Sequence, residues 1–437
     1  MFGPRGFQRE MVVSVDEDGV ISDIDHCPNP DRLRGVEHYN GVLIPAMVNA
    51  HCHLELSYMR GRIAPGGVSG GGLVAFVQGI ERVRADVAAV AAAGEAAAGI
   101  ISQTDISGAI SYWDARMAAD GIGLVGDICN DNVTFNTKMQ SPIRYHSFVE
   151  LFGFGRGAEE RARALLEQAA TTGAARRLAA STTPHSTYSV SDARFAAAVR
   201  RLSDGGPEVA TASDGETNLP PLSIHFMEDP AEAELFRRRG ALWEWYCSYG
   251  LDRRAEFDLL HWGSPVERII GQVPSGRRIM LVHNTFIGQD ELDALQKHFG
   301  DNLTLVLCPR SNLYITGQLP PVEMPRRSGV RIAVGTDSLA SNTSLSMVDE
   351  LKLLARVDSG SENGARSAGA GAKAGTGSGV PLEELLRWAT ADGAEALGCE
   401  TQYGAIEVGR PARLTLLEGV DFATLTMRPG ATTRKLI

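Results

Sequence analysis

Residues 44–56 read IPAMVNAHCHLEL. The apolar run over 42–48 leads straight into His51, Cys52 and His53. A short apolar run bounded by polar residues reads as a buried strand. Side chains alternate faces along a strand, so His51 and His53 point the same way. Two imidazoles one residue apart at a strand end can grip one metal ion. Such a pair is common by chance, so the rest of the chain must supply further ligands.

The chain has 437 residues, enough for a large core and more than one domain. It is 43% hydrophobic and 22% charged, a globular composition. The formal charge of −11 argues against nonspecific binding to nucleic acid or to an anionic membrane. No apolar run approaches about 18 residues, so no membrane span is expected. The first ten residues, MFGPRGFQRE, lack the apolar core of a signal peptide. Cysteines 27, 52, 129, 247, 308 and 399 are scattered without a CxxC pair. Free thiols in a reducing cytoplasm fit that pattern better than a disulfide framework does.

Upstream, residues 11–15 and 20–24 alternate around Asp18-Gly19, a hairpin signal. The C-terminal stretch, with GAIE at 404–407 and an apolar run over 412–417, has the same β character. The two ends are expected to pair into one small β-sandwich formed by 1–46 and 402–437. The middle, 47–401, alternates short apolar strands with helical segments, the pattern of a parallel sheet with helices outside it. Strands are expected to end at His53 and to span 121–129, 145–153, 177–185, 222–228, 278–284, 303–308 and 330–337. That makes an α/β chain with a (β/α)8 TIM barrel. Helices are expected over 73–93, 98–117, 158–170, 289–299 and 381–397, the last with proline at its first position. Residues 203–218 read as a loop. Residues 359–379, rich in Gly, Ala and Ser, read as a surface insertion, with an active-site lid as the alternative.

A barrel keeps its active site at the C-terminal ends of its strands. His51 and His53 end the first strand, His185 the fourth, His225 and Glu228 the fifth, His283 the sixth and Asp337 the eighth. Each alone has a structural explanation: His185 as a turn residue, His283 as a satisfied core histidine, Asp337 as a helix N-cap. Their joint placement on one rim favours a metal site. Three histidines and an aspartate make an N3O donor set, which suits Zn2+ and also Fe2+. Glu228, three residues after His225, reaches that rim only if the backbone turns after the histidine.

The motifs IPAMVNAHCHLELS, TTPHSTYSVS, IHFMEDPAE, LVHNTF, LCPRSN, VGTDS and GRPARLTLL resemble those of the amidohydrolase superfamily. Within it, the chain is similar to the cytosine deaminase-like branch. That branch includes guanine, methylthioadenosine/adenosylhomocysteine and aminodeoxyfutalosine deaminases and triazine chlorohydrolases. The resemblance implies that His51, His53, His225 and Asp337 bind a single divalent metal, zinc ahead of iron. It assigns His283 to the metal-activated water and Glu228 to acid/base work. No lysine is placed like the carbamylated bridge of the two-metal members. A bound metal brings the pKa of water toward neutrality. The resulting hydroxide would attack a ring carbon bearing an exocyclic amine. Glu228 would protonate the adjacent ring nitrogen, Asp337 would take the water proton, His283 would stabilise developing charge, and ammonia would leave.

Several residues bear on substrate. HLELS resembles the aminodeoxyfutalosine deaminases more than the HTHLPM of the methylthioadenosine type. The ribose-binding PAE stretch of that type is absent; Glu81 or Arg84 sits near its place, and an arginine there suits the benzoate of aminodeoxyfutalosine, a menaquinone precursor. The glutamine usual after HxH in guanine deaminase is missing. His185 matches the PHAPYS histidine and is expected, with Glu55 and Asn312, to contact substrate. The expected activity is hydrolysis of a carbon–nitrogen bond in a cyclic amidine, with a small-molecule substrate and no nucleic-acid or membrane partner. The family leans to a homodimer. The alternatives are another ring hydrolase on the same site, such as a guanine or methylthioadenosine/adenosylhomocysteine deaminase or a chlorohydrolase, and, more distantly, a non-catalytic binding protein.

Overall fold

The computed structural model describes residues 1–26, 35–66, 71–93, 103–154, 157–172, 178–200, 219–357 and 379–437. The two segments expected as insertions, 203–218 and 359–379, lie outside the described residues but for Gly379.

At the N-terminal end Phe2–Gly3 pairs antiparallel with Gly6–Phe7, and the longer strands are β1 (Met11–Val15), β2 (Ile21–His26) and β3 (Val42–Pro45); β1 and β2 form an antiparallel hairpin. The strands of the middle are β4 (Met47–His53), β5 (Ile122–Cys129), β6 (Arg144–Leu151), β7 (Ala179–Pro184), β8 (Leu222–Phe226), β9 (Ile279–His283), β10 (Leu303–Leu307), β11 (Arg331–Val334) and β12 (Asp337–Ser338). The C-terminal strands are β13 (Leu414–Asp421) and β14 (Thr426–Lys435). All the expected strands are present, most with ends shifted by a residue or two; the one expected over 330–337 is divided into β11 and β12, and the C-terminal run over 412–417 extends to Asp421. The apolar run over 42–48 is not one strand, however. It divides at Ala46, where β3 pairs antiparallel with β13 and β4 pairs parallel with β5. Ala46 N bonds Arg413 O and Met47 N bonds Gly121 O, so two partners pull the run into two sheets.

The middle strands form two parallel sheets, β12-β4-β5-β6-β7 and β8-β9-β10-β11. Two links join them. A parallel bridge pairs Ser186 with His225, and β11 and β12 are one strand interrupted at Gly335 and Thr336. At that interruption Gly335 N bonds Leu307 O and Thr336 N bonds His51 O. A Cβ at Gly335 would lie 2.8 Å from His51 O, so this close crossing needs glycine. Asn49 clamps the same place: its Nδ2 donates to Thr336 Oγ1 at 2.7 Å, and Thr336 N donates to its Oδ1 at 3.1 Å. Each such buried bond contributes about 1 kcal/mol net.

Every residue of β4 is buried, as a strand covered on both faces requires. Val48 and Ala50 pack with Leu124, Ile128 and Phe148 and with Ala394, Ala396 and Leu397 outside the sheet. The opposite face carries Asn49, His51 and His53. Helices α1 (Gly72–Ala93), α2 (Gln103–Ala119), α3 (Ala158–Thr171) and α4 (Gln289–Phe299) match the expected segments, though residues 98–102 lie outside the described residues. The helix expected over 381–397 is two, Leu382–Trp388 and Ala391–Ala396. Thr390, at φ −133°, breaks it, and its hydroxyl returns to Leu386 O. Pro381 is therefore the cap and not the first helical residue.

The chain ends meet: β3, β13 and β14 form one sheet, and Val20 bridges Pro411. Ile21, Ile406, Ala412 and Leu414 share a core there with Val13, Val15, Ile24, Leu43 and Leu436 packed against it. Cys52, Cys129, Cys247, Cys308 and Cys399 are free thiols. Among the described residues no helix is long and apolar enough to cross a membrane.

Candidate active site

The alternation of β4 delivers His51 and His53 together: their Nε2 atoms are 3.1 Å apart. His225, one residue from the end of β8, brings its Nε2 to 3.2 Å from that of His53. Asp337, which opens β12 beside β4, places Oδ1 3.3 Å from His53 Nε2 and 3.7 Å from His51 Nε2. All four side chains are buried.

The protonation of this cluster follows from its surroundings. His225 Nδ1 lies 2.9 Å from the carbonyl oxygen of His185, which can only accept. The proton therefore sits on Nδ1, and Nε2 turns its lone pair to the cluster. Burial pushes His53 well below the usual imidazole range and His225 down to about 4, so both are neutral. Burial works against the Asp337 carboxylate, but the hydrogen bond from His51 and the neighbouring His53 and His283 hold it well below the usual range. Ser311 Oγ at 2.5 Å and Ser341 Oγ at 2.8 Å both donate to its Oδ2. That leaves Oδ1 to face the histidines. One ligand atom from each of the three histidines and from Asp337 lies within 4.8 Å of the others. In a tetrahedral site with metal–nitrogen bonds of 2.0–2.1 Å, ligand atoms stand about 3.3 Å apart. The donor set thus fits one divalent ion.

Beside this cluster sit Glu228 and His283. Met227 has φ +48°, so the backbone does turn after His225, and Glu228 Oε1 comes within 3.5 Å of His283 Nε2. The turn is held from below by Glu232, whose carboxylate accepts from Met227 N at 3.0 Å and Glu228 N at 2.7 Å. Burial pushes the Glu228 carboxyl well above the usual range, and its Oε1 has no hydrogen-bond partner among the described residues. His283 and Asn284 have φ of +80° and +54°, strain of the kind proteins keep at functional sites. Asn312 Nδ2 lies 3.3 Å from His283 Nδ1 and 2.6 Å from Thr285 Oγ1, so Asn312 is packed against His283.

His185 stacks on His225 with ring centroids 4.7 Å apart, and burial brings it down to about 4. Glu55 is buried; its carboxylate accepts from Asn130 N at 2.8 Å and faces Arg84 Nη2 at 3.8 Å. The Arg84 side chain is 47% exposed, on the surface of α1. His51, His53, His225 and Asp337 form the cluster, and His185, Glu228, His283 and Asn312 sit beside it; Glu55 is linked to it through Asn130 and Glu150, and Arg84 meets Glu55. Four more neighbours were not singled out: Asn130, Glu150, Ser311 and Ser341. Glu150 had a signal, a carboxylate inside the apolar run YHSFVELFG. Below the site, Lys138, fully buried, pairs with Asp127 Oδ2 at 2.6 Å while Leu54 N donates to Asp127 Oδ1 at 2.8 Å. That buried pair fixes the turn just after His53.

The model of the Amidohydrolase family matches residues 42–433. An adenosine deaminase of Helicobacter pylori is 26% identical over 382 residues, spanning 86% of this chain and 79% of that protein. Among solved structures, Helicobacter pylori aminofutalosine deaminase in complex with methylthio-coformycin superposes with a TM-score of 0.67 at 22% identity, covering 93% of this chain and 87% of that one. An adenosine deaminase from Xanthomonas campestris with bound zinc gives a TM-score of 0.65 at 22% identity, covering 96% and 82%. Structural likeness at these identities is a likeness of fold.

Proposed function

The chain belongs to the amidohydrolase family, and we propose that it deaminates an adenine-type nucleoside, with 6-aminodeoxyfutalosine the preferred substrate. It is a hydrolase of carbon–nitrogen bonds in cyclic amidines. The observation that carries the deaminase proposal is the buried Glu228 carboxyl beside His283 and the N3O cluster. Its elevated pKa keeps a proton available near neutral pH, which a ring nitrogen needs when the adjacent carbon is attacked.

We read the two parallel sheets as one closed (β/α)8 barrel over 47–401, with 1–46 and 402–437 as a small β-sandwich. The Ser186–His225 bridge and the shared strand at Gly335 support the closure. His51, His53, His225 and Asp337 would hold one divalent cation, zinc ahead of iron. Such an ion makes water a competent nucleophile near pH 7.

The protein groups then divide the proton work. Asp337, ionised and with Oδ2 held by two serine hydroxyls, takes a proton from the incoming water. Glu228 gives its proton to the ring nitrogen. His283 Nε2 faces the same space and donates to the oxygen being added. A carbon–oxygen bond forms, the exocyclic carbon–nitrogen bond breaks, the nitrogen leaves as ammonia after receiving the proton taken up by Asp337, and the added hydroxyl returns its proton to Glu228. We assign substrate contacts to Glu55, Arg84, His185 and Asn312, with Arg84, half exposed and 3.8 Å from Glu55, as the partner for a substrate carboxylate. A small-molecule substrate, a cytoplasmic location and a homodimer complete the proposal.

The test is ammonia release from a panel of 6-aminodeoxyfutalosine, methylthioadenosine, adenosylhomocysteine and adenosine. The expected result is turnover of the first with kcat/KM at least about 10-fold above the others, the usual scale of one added charge-assisted contact. Release from none of them would overturn the proposal.

A further inference from the structure

Glu150 is the next-to-last residue of β6 and lies opposite Thr183 of β7. Its side chain is 2% exposed. A carboxylate in a parallel strand covered on both faces is costly to bury unless each oxygen is compensated. Oε2 accepts from Asn130 Nδ2 at 2.9 Å. Oε1 has no hydrogen-bond partner among the described residues, and 3.4 Å away lies His225 Nδ1.

We propose that Glu150 is a positioning residue for His225, held in place by Asn130. This rests on His225 being a metal ligand. His225 Nδ1 donates its proton to the His185 carbonyl at 2.9 Å, and Glu150 Oε1 lies 3.4 Å from the same nitrogen. Both neighbours only accept, so the ring is locked as the tautomer whose Nε2 lone pair faces His51 and His53. When Nε2 binds a cation, the Nδ1–H becomes more acidic and its attraction to a carboxylate grows. An otherwise unsatisfied Oε1 at that spot then gains its partner. Asn130 sets the geometry from the other side. Its side chain spans Glu150 Oε2 and Glu55 Oε1, at 2.9 and 3.1 Å, while its backbone N–H binds Glu55 Oε2 at 2.8 Å. One residue therefore fixes two buried carboxylates, and Glu150 is kept from swinging away from the histidine.

Glu150, His185 and His225 also have ligand atoms close enough to one another to suggest a second ion site. The hydrogen bonds argue otherwise. His225 Nδ1 carries a proton for a carbonyl, and His185 Nδ1 is 2.7 Å from Ser189 Oγ. The trio supports one site and does not form another.

The test uses the full chain stripped of metal, with Co2+ as the probe, read by its visible absorption and by chelator competition. Glu150→Gln should bind Co2+ about 10–100-fold more weakly than the unaltered protein, with a changed visible spectrum. Glu150→Asp, which keeps the charge, should recover part of that loss. A Glu150→Gln protein of normal circular dichroism that binds Co2+ with unaltered affinity and spectrum overturns the proposal. If Glu150→Gln does not fold, Asn130→Ala keeps the carboxylate but frees it, and should weaken binding several-fold; unchanged binding there overturns the proposal equally. A second equivalent of Co2+ lost on Glu150→Gln would make Glu150 a ligand and contradict the positioning role. No uptake by the unaltered protein would overturn the metal site itself and this inference with it.

Discussion

Glu228→Gln is expected to lower kcat by about 10³-fold, within the 10²–10⁴ range of a positioned general acid, while KM and metal content stay near those of the unaltered enzyme. Glutamine matches glutamate in shape. The bonds that hold this turn run from Met227 N and Glu228 N to Glu232, and neither uses the Glu228 side chain. The fold and the N3O cluster should therefore survive. What is lost is the proton that burial keeps on the carboxyl. Steady-state ammonia release alongside metal analysis separates the two effects. A variant with kcat within threefold of the original would remove Glu228 from the chemistry and favour a hydrolysis that needs no ring protonation.

Asp337→Ala should be the more damaging change. It removes the carboxylate that faces His51 and His53, and with it the anionic member of the donor set. Three neutral imidazoles remain, which bind a dication more weakly. Ser311 loses an acceptor at 2.5 Å, and Ser341 one at 2.8 Å. Metal content after dialysis should fall to about a tenth or less of the original. Turnover should fall at least about 10³-fold, as the nucleophile's pKa climbs from near 7 toward 15.7. Retained metal with retained turnover would contradict the ligand assignment.

Much of the geometry behind these expectations was legible in the sequence, for local reasons. HCH could be placed because a two-residue period on a buried strand allows only one arrangement of its histidines. His225, His283 and Asp337 could be placed because strand ends are marked by the change from apolar to polar residues. Glu228 was conditional on a backbone turn, and the positive φ of Met227 supplies it. Other features depend on partners far away in the chain. Nothing within residues 42–48 says that Ala46 divides two sheets; the division is made by Arg413 and Gly121. The break in the helix over 381–397 is likewise made by Thr390 turning its hydroxyl back on Leu386. Ser311 and Asn130 look like ordinary turn residues until Asp337 and Glu150, 26 and 20 positions distant, are brought to them.

We propose that one metal at His51, His53, His225 and Asp337 supports deamination. Its most direct test is ammonia release by metal-stripped protein titrated with Zn2+, using the best nucleoside of the panel. Negligible release is expected without metal, with a linear rise that levels off at about one equivalent per chain. Full turnover by the stripped protein, or a plateau reached only at two equivalents, would contradict it.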